Sequence, residues 1–170
     1  LYRYFRGLVD AYTVDMEPTD KVLDAIHEVK YHQDGTLALR RSCVHGVCGS
    51  DAMVINGVNR LACTLLIQDV GDKITVEPIR GLPVIKDLVV DMGPFWGRIR
   101  SVQPWLEPGC SDPGETEHVV SQERMDAIHK ESLCIMCGCC VSECNSLEAD
   151  PDFLGPAALE RYHVELRDCY

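Results

Sequence analysis

Three cysteines and one aspartate have the spacing of ligands to a two-iron cluster. Four residues separate Cys43 from Cys48, two more precede Asp51, and eleven further residues precede Cys63. Loops that hold such clusters carry ligands at a Cys-x4-Cys-x2-Cys spacing, with a fourth ligand further along the chain. Soft thiolates match iron bridged by sulfide, and a carboxylate can replace one of them. The sequence therefore predicts a [2Fe-2S] site with these four residues as ligands.

Two glycines and one histidine lie within the same predicted loop. Gly46 and Gly49 suit a chain that curls around a cluster and turns its N–H groups towards sulfide. His45 is interpreted as a surface residue or a hydrogen-bond donor, and it is not a predicted ligand. The alternative is a structural zinc site with three thiolates and one carboxylate, for which this spacing is unusual.

A second group of cysteines lies between residues 134 and 144, where the sequence reads CIMCGCCVSEC. In a Cys-x2-Cys-x2-Cys-x3-Cys run, the first three thiolates hold one cubane cluster and the fourth binds another. The residues at these positions are Cys134, Cys137, Cys140 and Cys144. The extra Cys139 is expected to point away from the cluster and to pack. A structural zinc site, in which the thiolates bind zinc, is again the alternative.

The distribution of the cysteines favours metal binding over disulfide bonds. Eight of the ten cysteines fall in these two groups, and Cys110 and Cys169 stand alone. A disulfide-stapled domain usually spreads its cysteines across the fold. Short local spacings are instead typical of metal ligands in a reducing compartment.

Size and charge limit the remaining function classes. The chain has 170 residues and a formal net charge of −11, which argues against nucleic acid as a partner. Its length suits one ordinary domain or two small ones. No run approaches 18 apolar residues, so a membrane location would require another subunit as the anchor.

The elements predicted around the first group are those of a small α+β sheet domain. One helix is predicted to open at Pro18 with Thr19 as its N-cap and with Val22, Ile26 and Val29 facing inward. Asn56 and Gly57 indicate a tight hairpin turn. Alternation and β-propensity predict strands over residues 11–16, 37–40, 53–55, 61–66 and 74–77.

The elements predicted around the second group are helical. Residues 104–116 contain three prolines and two glycines, which indicates a linker. Ser121 is predicted to cap a helix that runs to Lys130, with Met125, Ile128 and His129 facing inward. Residues 156–166 form a further predicted helix.

Several motifs together resemble the iron–sulfur subunit of succinate dehydrogenase and fumarate reductase. The resemblance covers most of the chain, and in that family the third loop position is Asp in some members and Cys in others. It rests on residues 40–43 (RRSC), 48–53 (CGSDAM), 55–57 (ING), 61–63 (LAC), 76–78 (VEP), 83–91 (PVIKDLVVD), 103–106 (QPWL) and 154–158 (LGPAA).

The resemblance implies two ferredoxin-like domains. The first, residues 1–106, would be a plant-type (β-grasp) domain with the [2Fe-2S] cluster. Residues 107–118 would form the linker. Residues 119–170 would form a small α-helical, bacterial-ferredoxin-like domain, in which Cys134, Cys137 and Cys140 hold a [4Fe-4S] cluster. Cys144 would be a ligand of a [3Fe-4S] cluster, and Cys169 is a further candidate for it.

The resemblance also implies a role and partners. The chain would relay single electrons from an FAD-containing flavoprotein subunit, through its clusters, to a quinone near membrane-anchor subunits. It would carry no substrate chemistry itself. Its place would be peripheral, on the cytoplasmic face of the inner membrane or on the matrix face in mitochondria. Fumarate reductase, a diffusing soluble ferredoxin and a zinc-stabilised interaction module are the alternatives.

The resembled family has three further cysteines in a second ferredoxin run, which would complete the [4Fe-4S] and [3Fe-4S] ligand sets. In this sequence only Cys169 lies in that region. We therefore expect the sequence to be an incomplete copy of a longer subunit.

Overall fold

A computed structural model describes residues 2–5, 8–105 and 121–163 as a mixed helix and sheet structure. The strands are β1 (Tyr2–Phe5), β2 (Leu8–Ala11), β3 (Ala52–Ile55), β4 (Val58–Leu61), β5 (Thr75–Glu77), β6 (Val84–Lys86) and β7 (Val89–Val90). The helices are α1 (Val22–His32), α2 (Ile67–Val70), α3 (Gly93–Ser101), α4 (Gln122–Ala127), α5 (His129–Ser132), α6 (Cys139–Ser142), α7 (Asn145–Ala149) and α8 (Pro156–His163). No helix in these ranges is long and apolar enough to cross a bilayer.

The larger sheet has five strands in the order β2-β1-β5-β3-β4. Only the β1–β5 pair is parallel, and the other three pairs are antiparallel. Asn56 and Gly57 join β3 to β4 with positive φ angles of 50° and 81°, as a tight hairpin turn requires. The Asn56 side chain also accepts a hydrogen bond from Thr75 N–H at 2.9 Å, which ties the turn to β5.

The first hydrophobic core joins helix α1 to this sheet. Val22, Ile26 and Val29 are fully buried on one face of α1, as their spacing predicted, and they pack with Met53 and Val76 of the sheet. The helix N-terminus is held to the later chain, because Val22 N–H donates to the Leu65 carbonyl at 2.9 Å. This core supports the segment that carries Cys63.

The second hydrophobic core joins both halves of the chain. Phe95 and Ile99 of α3 and Ile79 pack in one buried cluster with Val141 of α6 and Ala158 of α8. Residues 79–102 precede the predicted linker, yet they share this core with the helices that carry the second cysteine group. The predicted linker, residues 107–118, lies outside the described residues.

Several predicted elements in the first half are wrong. Residues 12–17 form no strand, and α1 begins at Val22 after Lys21 rather than after a Thr19 cap. The side chain of Asp24, in the first turn of the helix, accepts the Lys21 N–H at 3.0 Å and so satisfies the main-chain donor at the helix N-terminus. The strand predicted over residues 61–66 is wrong except at Leu61. The strand β4 lies earlier, at Val58–Leu61, because pairing with β3 begins directly after Gly57 and ends at Leu61.

Residues 37–40 are not a strand either. The Ala38 N–H donates to the buried carboxylate of Asp87 at 2.8 Å, and the Ala38 carbonyl accepts from Leu88 N–H. These bonds satisfy the backbone without a sheet partner. The predicted strands over residues 53–55 and 74–77 are confirmed as β3 and β5, apart from Ile74, which precedes β5.

The helical prediction for the second half is confirmed in part. Ser121 caps α4 by accepting the Arg124 N–H at 3.3 Å, but the helix ends at Ala127 and a separate turn, α5, follows. Met125 and His129 are exposed, so the prediction that they face inward is wrong. The predicted last helix is confirmed over Pro156–His163, and residues 164–166 lie outside the described residues.

Candidate metal centres

The loop after Arg41 curls tightly around the sulfur of Cys43. Val44, Gly46 and Gly49 have φ angles of 64°, 82° and 67°. A positive φ is strained for a β-branched residue such as Val44, and such strain is concentrated at functional sites. The backbone conformation at Val44 therefore costs free energy, which the contacts around the loop must offset.

Main-chain N–H groups of this loop point at sulfur. His45, Val47 and Cys48 donate to Cys43 Sγ at 3.5, 3.4 and 3.3 Å, and Cys43 N–H donates to Cys48 Sγ at 3.5 Å. The Ser50 hydroxyl lies 3.2 Å from Cys48 Sγ. Donors arranged in this way stabilise negative charge on sulfur, as a bound cluster requires.

Asp51 and Cys63 complete the same site from the sheet. Asp51 directly precedes β3, and Cys63 follows β4, so the hairpin brings them together. The Asp51 carboxylate is 3% exposed and accepts the Cys63 N–H at 2.6 Å. The four predicted ligands thus form two neighbouring pairs, Cys43 with Cys48 and Asp51 with Cys63, and the charge of Cys43 acts on Cys63. Their donor set of three sulfurs and one carboxylate suits a two-iron cluster, in which each iron takes two protein ligands.

The thiols of this site have opposite acid–base character. Main-chain donation from His45, followed by the contact with Cys48, lowers the pKa of Cys43 to about 6. Burial, followed by the hydrogen bond and charge of Asp51, raises the pKa of Cys63 to about 11. In the cluster-free chain, one thiol of this site is therefore a thiolate at neutral pH and another is protonated.

The second cysteine loop resembles the first in its backbone. Met136 and Gly138 have φ angles of 56° and 83°, and the chain then enters α6 at Cys139. Cys134 is fixed at the other end, because the Arg161 guanidinium donates to its carbonyl at 2.9 Å. The Arg161 Nε is buried without a hydrogen-bond partner among the described residues.

The thiols of the second loop influence one another. The hydrogen bond with Cys139 lowers the pKa of Cys137 to about 6 and raises the pKa of Cys139. Burial, followed by the charges of Cys137 and Cys134, raises the pKa of Cys140. The structure thus brings together the three predicted [4Fe-4S] ligands. It also brings Cys139 against Cys137, where the sequence had predicted that Cys139 points away.

Cys144 lines a cavity that these three thiols do not line. It precedes α7, and Arg80 and Arg98 also line this cavity of about 440 Å³. Cys169, the other candidate [3Fe-4S] ligand, and the isolated Cys110 lie outside the described residues. In the described ranges, no three or more His, Cys, Asp or Glu side chains are grouped as they would be around a single metal ion.

The two cysteine loops touch each other. A Cβ atom built on Gly49 would lie 2.6 Å from Cys137 Cβ and 2.8 Å from Cys137 Cα. Nearby, the Asn59 amide of β4 donates to the hydroxyl of Ser142 at 3.0 Å and also bonds the carboxylate of Glu143. The Ser142 hydroxyl in turn accepts the Arg80 N–H at 2.8 Å.

Sequence reasoning missed most of this contact. It treated Gly49 only as a loop-forming residue, and it assigned no role to Asn59, Ser142 or Arg161. The partners Asn59 and Ser142 are 83 residues apart, so no local pattern connects them. The one available signal was the glycine directly after Cys48, which indicates a close backbone approach.

Comparison with known proteins identifies a family for the first half. Residues 3–97 match the family described as the 2Fe-2S iron-sulfur cluster binding domain. This range contains all four predicted ligands of the first site and ends before the second cysteine group.

Longer relatives cover both cysteine groups. The chain is 43% identical over 163 residues to the fumarate reductase iron-sulfur subunit of Mycobacterium tuberculosis, covering 93% of this chain and 66% of the relative. It is 42% identical over 150 residues to the succinate dehydrogenase iron-sulfur subunit of Coxiella burnetii, covering 86% and 62%. A mitochondrial succinate dehydrogenase iron-sulfur subunit of rice is 40% identical over 175 residues, covering 97% and 55%. The chain thus spans just over half to about two thirds of the length of these relatives.

A solved structure supports the same grouping. A chain of the Mycobacterium smegmatis Sdh1 complex in the apo form superposes with a TM-score of 0.85 at 29% sequence identity. The superposition covers 99% of this chain and 74% of that one.

Proposed function

Because the chain belongs to the family of iron–sulfur subunits of succinate dehydrogenase and fumarate reductase, we propose that it is the electron-transfer subunit of a succinate dehydrogenase. It would carry single electrons from a flavoprotein subunit to quinone. The observation that carries this proposal is the pairing of Cys43 with Cys48, in a loop whose N–H groups point at sulfur, beside Asp51 and Cys63 at the two ends of the neighbouring hairpin.

The first site would hold the [2Fe-2S] cluster through these four residues. The chain's own contribution is to fix the ligands before the cluster binds. Ser50 and the main-chain donors to Cys43 would stabilise charge on sulfur, and the hairpin β3–β4 would hold Asp51 against Cys63. A protein that fixes its ligands in this way limits the rearrangement that accompanies a change of charge.

The second site would hold a [4Fe-4S] cluster through Cys134, Cys137 and Cys140. Cys144, in its separate cavity, and Cys169 would contribute to a [3Fe-4S] cluster. Each cluster, when bound, supplies a centre that accepts and releases one electron. We further propose a β-grasp ferredoxin domain over residues 1–106, a linker over 107–118 and a helical ferredoxin-like domain from residue 119.

The partners follow from the same proposal. An FAD-containing subunit would deliver electrons, and membrane-anchor subunits would hold this chain peripherally at the cytoplasmic or matrix face, near quinone. The similar M. smegmatis chain is part of the Sdh1 complex, which supports a multi-subunit setting. Fumarate reductase is the second candidate, because the M. tuberculosis relative is named as part of that enzyme.

Affinity purification of this chain from its native membranes tests the proposal. We expect a flavin-containing subunit to be recovered with it, together with succinate-dependent reduction of a quinone analogue. Recovery of a brown protein alone would indicate a diffusing ferredoxin, and recovery of a colourless zinc protein would indicate an interaction module. Activity with fumarate and a reduced quinone in large excess over the reverse reaction would favour fumarate reductase.

A further inference from the structure

Gly49 lies where the two cysteine loops meet, and it leaves no room for a side chain. A Cβ at this position would lie 2.6 Å from Cys137 Cβ, 2.8 Å from Cys137 Cα and 3.1 Å from the Ile135 carbonyl oxygen. Two of these atoms belong to the main chain, so a rotamer change cannot relieve the overlap. The absence of a side chain at Gly49 is therefore what permits the approach of the two loops.

The contact lies next to one candidate cluster ligand of the first loop and involves another in the second. Gly49 follows Cys48 directly in the first loop, and Cys137 is the central cysteine of the second. A cavity of about 210 Å³ beside the contact is lined by both Cys48 and Cys137, with Met136 and Trp96 among its apolar neighbours. A direct connection between the two sites thus runs along the Cys48–Gly49 backbone and across one non-bonded contact to Cys137.

We propose that Gly49 is a positioning residue for electron transfer between the two cysteine sites. This inference rests on the proposed function, because it needs a cluster at each site. Cys48 would help to hold the cluster that gives up one electron, and Cys137 would help to hold the cluster that takes it up, so the exchange balances with one centre oxidised and the other reduced. Gly49 acts by holding the two ligand-bearing backbones in contact, and it takes part in neither cluster nor substrate chemistry.

The chain provides a matched control for the strain that any substitution at Gly49 would add. Gly57 also has a positive φ, 81° against 67° for Gly49, but nothing lies within 4 Å of a Cβ built on it. Alanine therefore strains the backbone at both positions and creates an overlap only at Gly49. Any difference between the two variants reports the contact with Cys137.

The test compares Gly49→Ala and Gly57→Ala in the cluster-loaded native complex. Electron paramagnetic resonance counts the clusters and measures how strongly a reduced second-site cluster accelerates relaxation of the two-iron signal. Rapid freezing after photoreduction of the first site gives the transfer rate. We expect Gly49→Ala to keep both signals but to show weaker relaxation enhancement and transfer slowed several-fold, with Gly57→Ala like the unmodified complex.

Each other result is decisive. Both clusters present in Gly49→Ala, with coupling and rate equal to those of Gly57→Ala, would overturn the positioning role. If Gly49→Ala does not assemble, the unmodified complex is the test: two-iron relaxation that is indifferent to the state of the second site contradicts direct contact, and accelerated relaxation supports it. Absence of clusters from the unmodified complex would overturn the proposed function itself.

Discussion

The two cysteine regions differ in how much of a ligand set the described chain brings together. In the first, one loop and one hairpin place Cys43, Cys48, Asp51 and Cys63 in a single site. In the second, the charges of three thiols act on one another near α6, and Cys144 lines a cavity that they do not line. The first site is thus supported by the hairpin that carries it, whereas the loop of the second site packs against segments distant in sequence.

This difference shows that the first half of the chain supports its own cysteine group and also part of the second. Phe95 and Ile99 follow the sheet in sequence but are buried with Val141 and Ala158 around the second cysteine loop. The second loop therefore relies on residues that precede it by about 40 positions. Changes to Phe95 or Ile99 should accordingly affect both sites, and removal of a single predicted ligand from the first loop should affect one.

The largest expected effect is the loss of one proposed cluster without the other. Cys48→Ala removes a predicted ligand of the first site, so we expect loss of the [2Fe-2S] signal while second-site signals remain. Iron content and paramagnetic resonance of the reduced complex measure this. Cys110→Ala is the matched control, because Cys110 is not a proposed ligand and lies outside both cysteine groups. A full two-iron signal in Cys48→Ala would remove this residue from the ligand set.

The cluster-free chain should show a second large effect in thiol reactivity. At pH 7, Cys43 and Cys137 have pKa values of about 6 and are mostly thiolate, whereas Cys63, with a pKa of about 11, is protonated. Lower nucleophilicity of the low-pKa thiolates offsets part of the advantage, so we expect alkylation at Cys43 on the order of 100-fold faster than at Cys63.

Peptide mapping after timed iodoacetamide treatment measures these rates. The direction in which each labelling rate changes with pH follows from the pKa of that thiol. Labelling of Cys43 should fall as the pH drops below about 6, and labelling of Cys63 should rise up to a pH of about 11. Equal rates for the two cysteines at pH 7 would show that the loop N–H groups do not stabilise charge on Cys43.

Loss of packing in the shared core should lower the stability of both regions. Phe95 is 1% exposed, and its replacement by alanine should lower the free energy of unfolding by about 3–5 kcal/mol. Val58→Ala, at an exposed hairpin position, should change it by less than about 0.5 kcal/mol. Denaturant unfolding of the loaded chain provides the measurement. A Phe95→Ala chain that keeps its stability would contradict a common core.

The smallest expected effect concerns the polar link between the halves. Asn59→Ala removes hydrogen bonds to Ser142 and Glu143, which should lower the free energy of unfolding by about 1 kcal/mol. The exposed Gln68 gives a control substitution, Gln68→Ala. Thermal melts with absorbance at the cluster bands would follow both variants. Identical melts would show that this link contributes nothing.

The grouping of Cys43, Cys48, Asp51 and Cys63 could be anticipated from the sequence because these residues are close along the chain. The Asn56-Gly57 turn and the strand before it also followed from local chemistry, since both turn residues require positive φ. The inward face of α1 followed from the spacing of Val22, Ile26 and Val29. These features depend on short-range patterns that one sequence displays directly.

The remaining features depend on tertiary contacts. The capping role predicted for Thr19 is taken by Asp24, which accepts the Lys21 N–H. The helix begins later than predicted because its first N–H groups donate to the carbonyls of Leu65 and Ala62. Met125 has apolar character but is 44% exposed, because α4 ends after six residues and the predicted longer face does not form. The contact between Gly49 and Cys137 joins positions 88 residues apart, which periodicity cannot reveal.

Stepwise reduction of the native complex, followed by paramagnetic resonance, tests the central claim most directly. We expect a two-iron signal that disappears in Cys48→Ala, together with separate [4Fe-4S] and [3Fe-4S] signals assigned to the second region. A complex that lacks the two-iron signal, or a colourless chain that contains zinc, would contradict it.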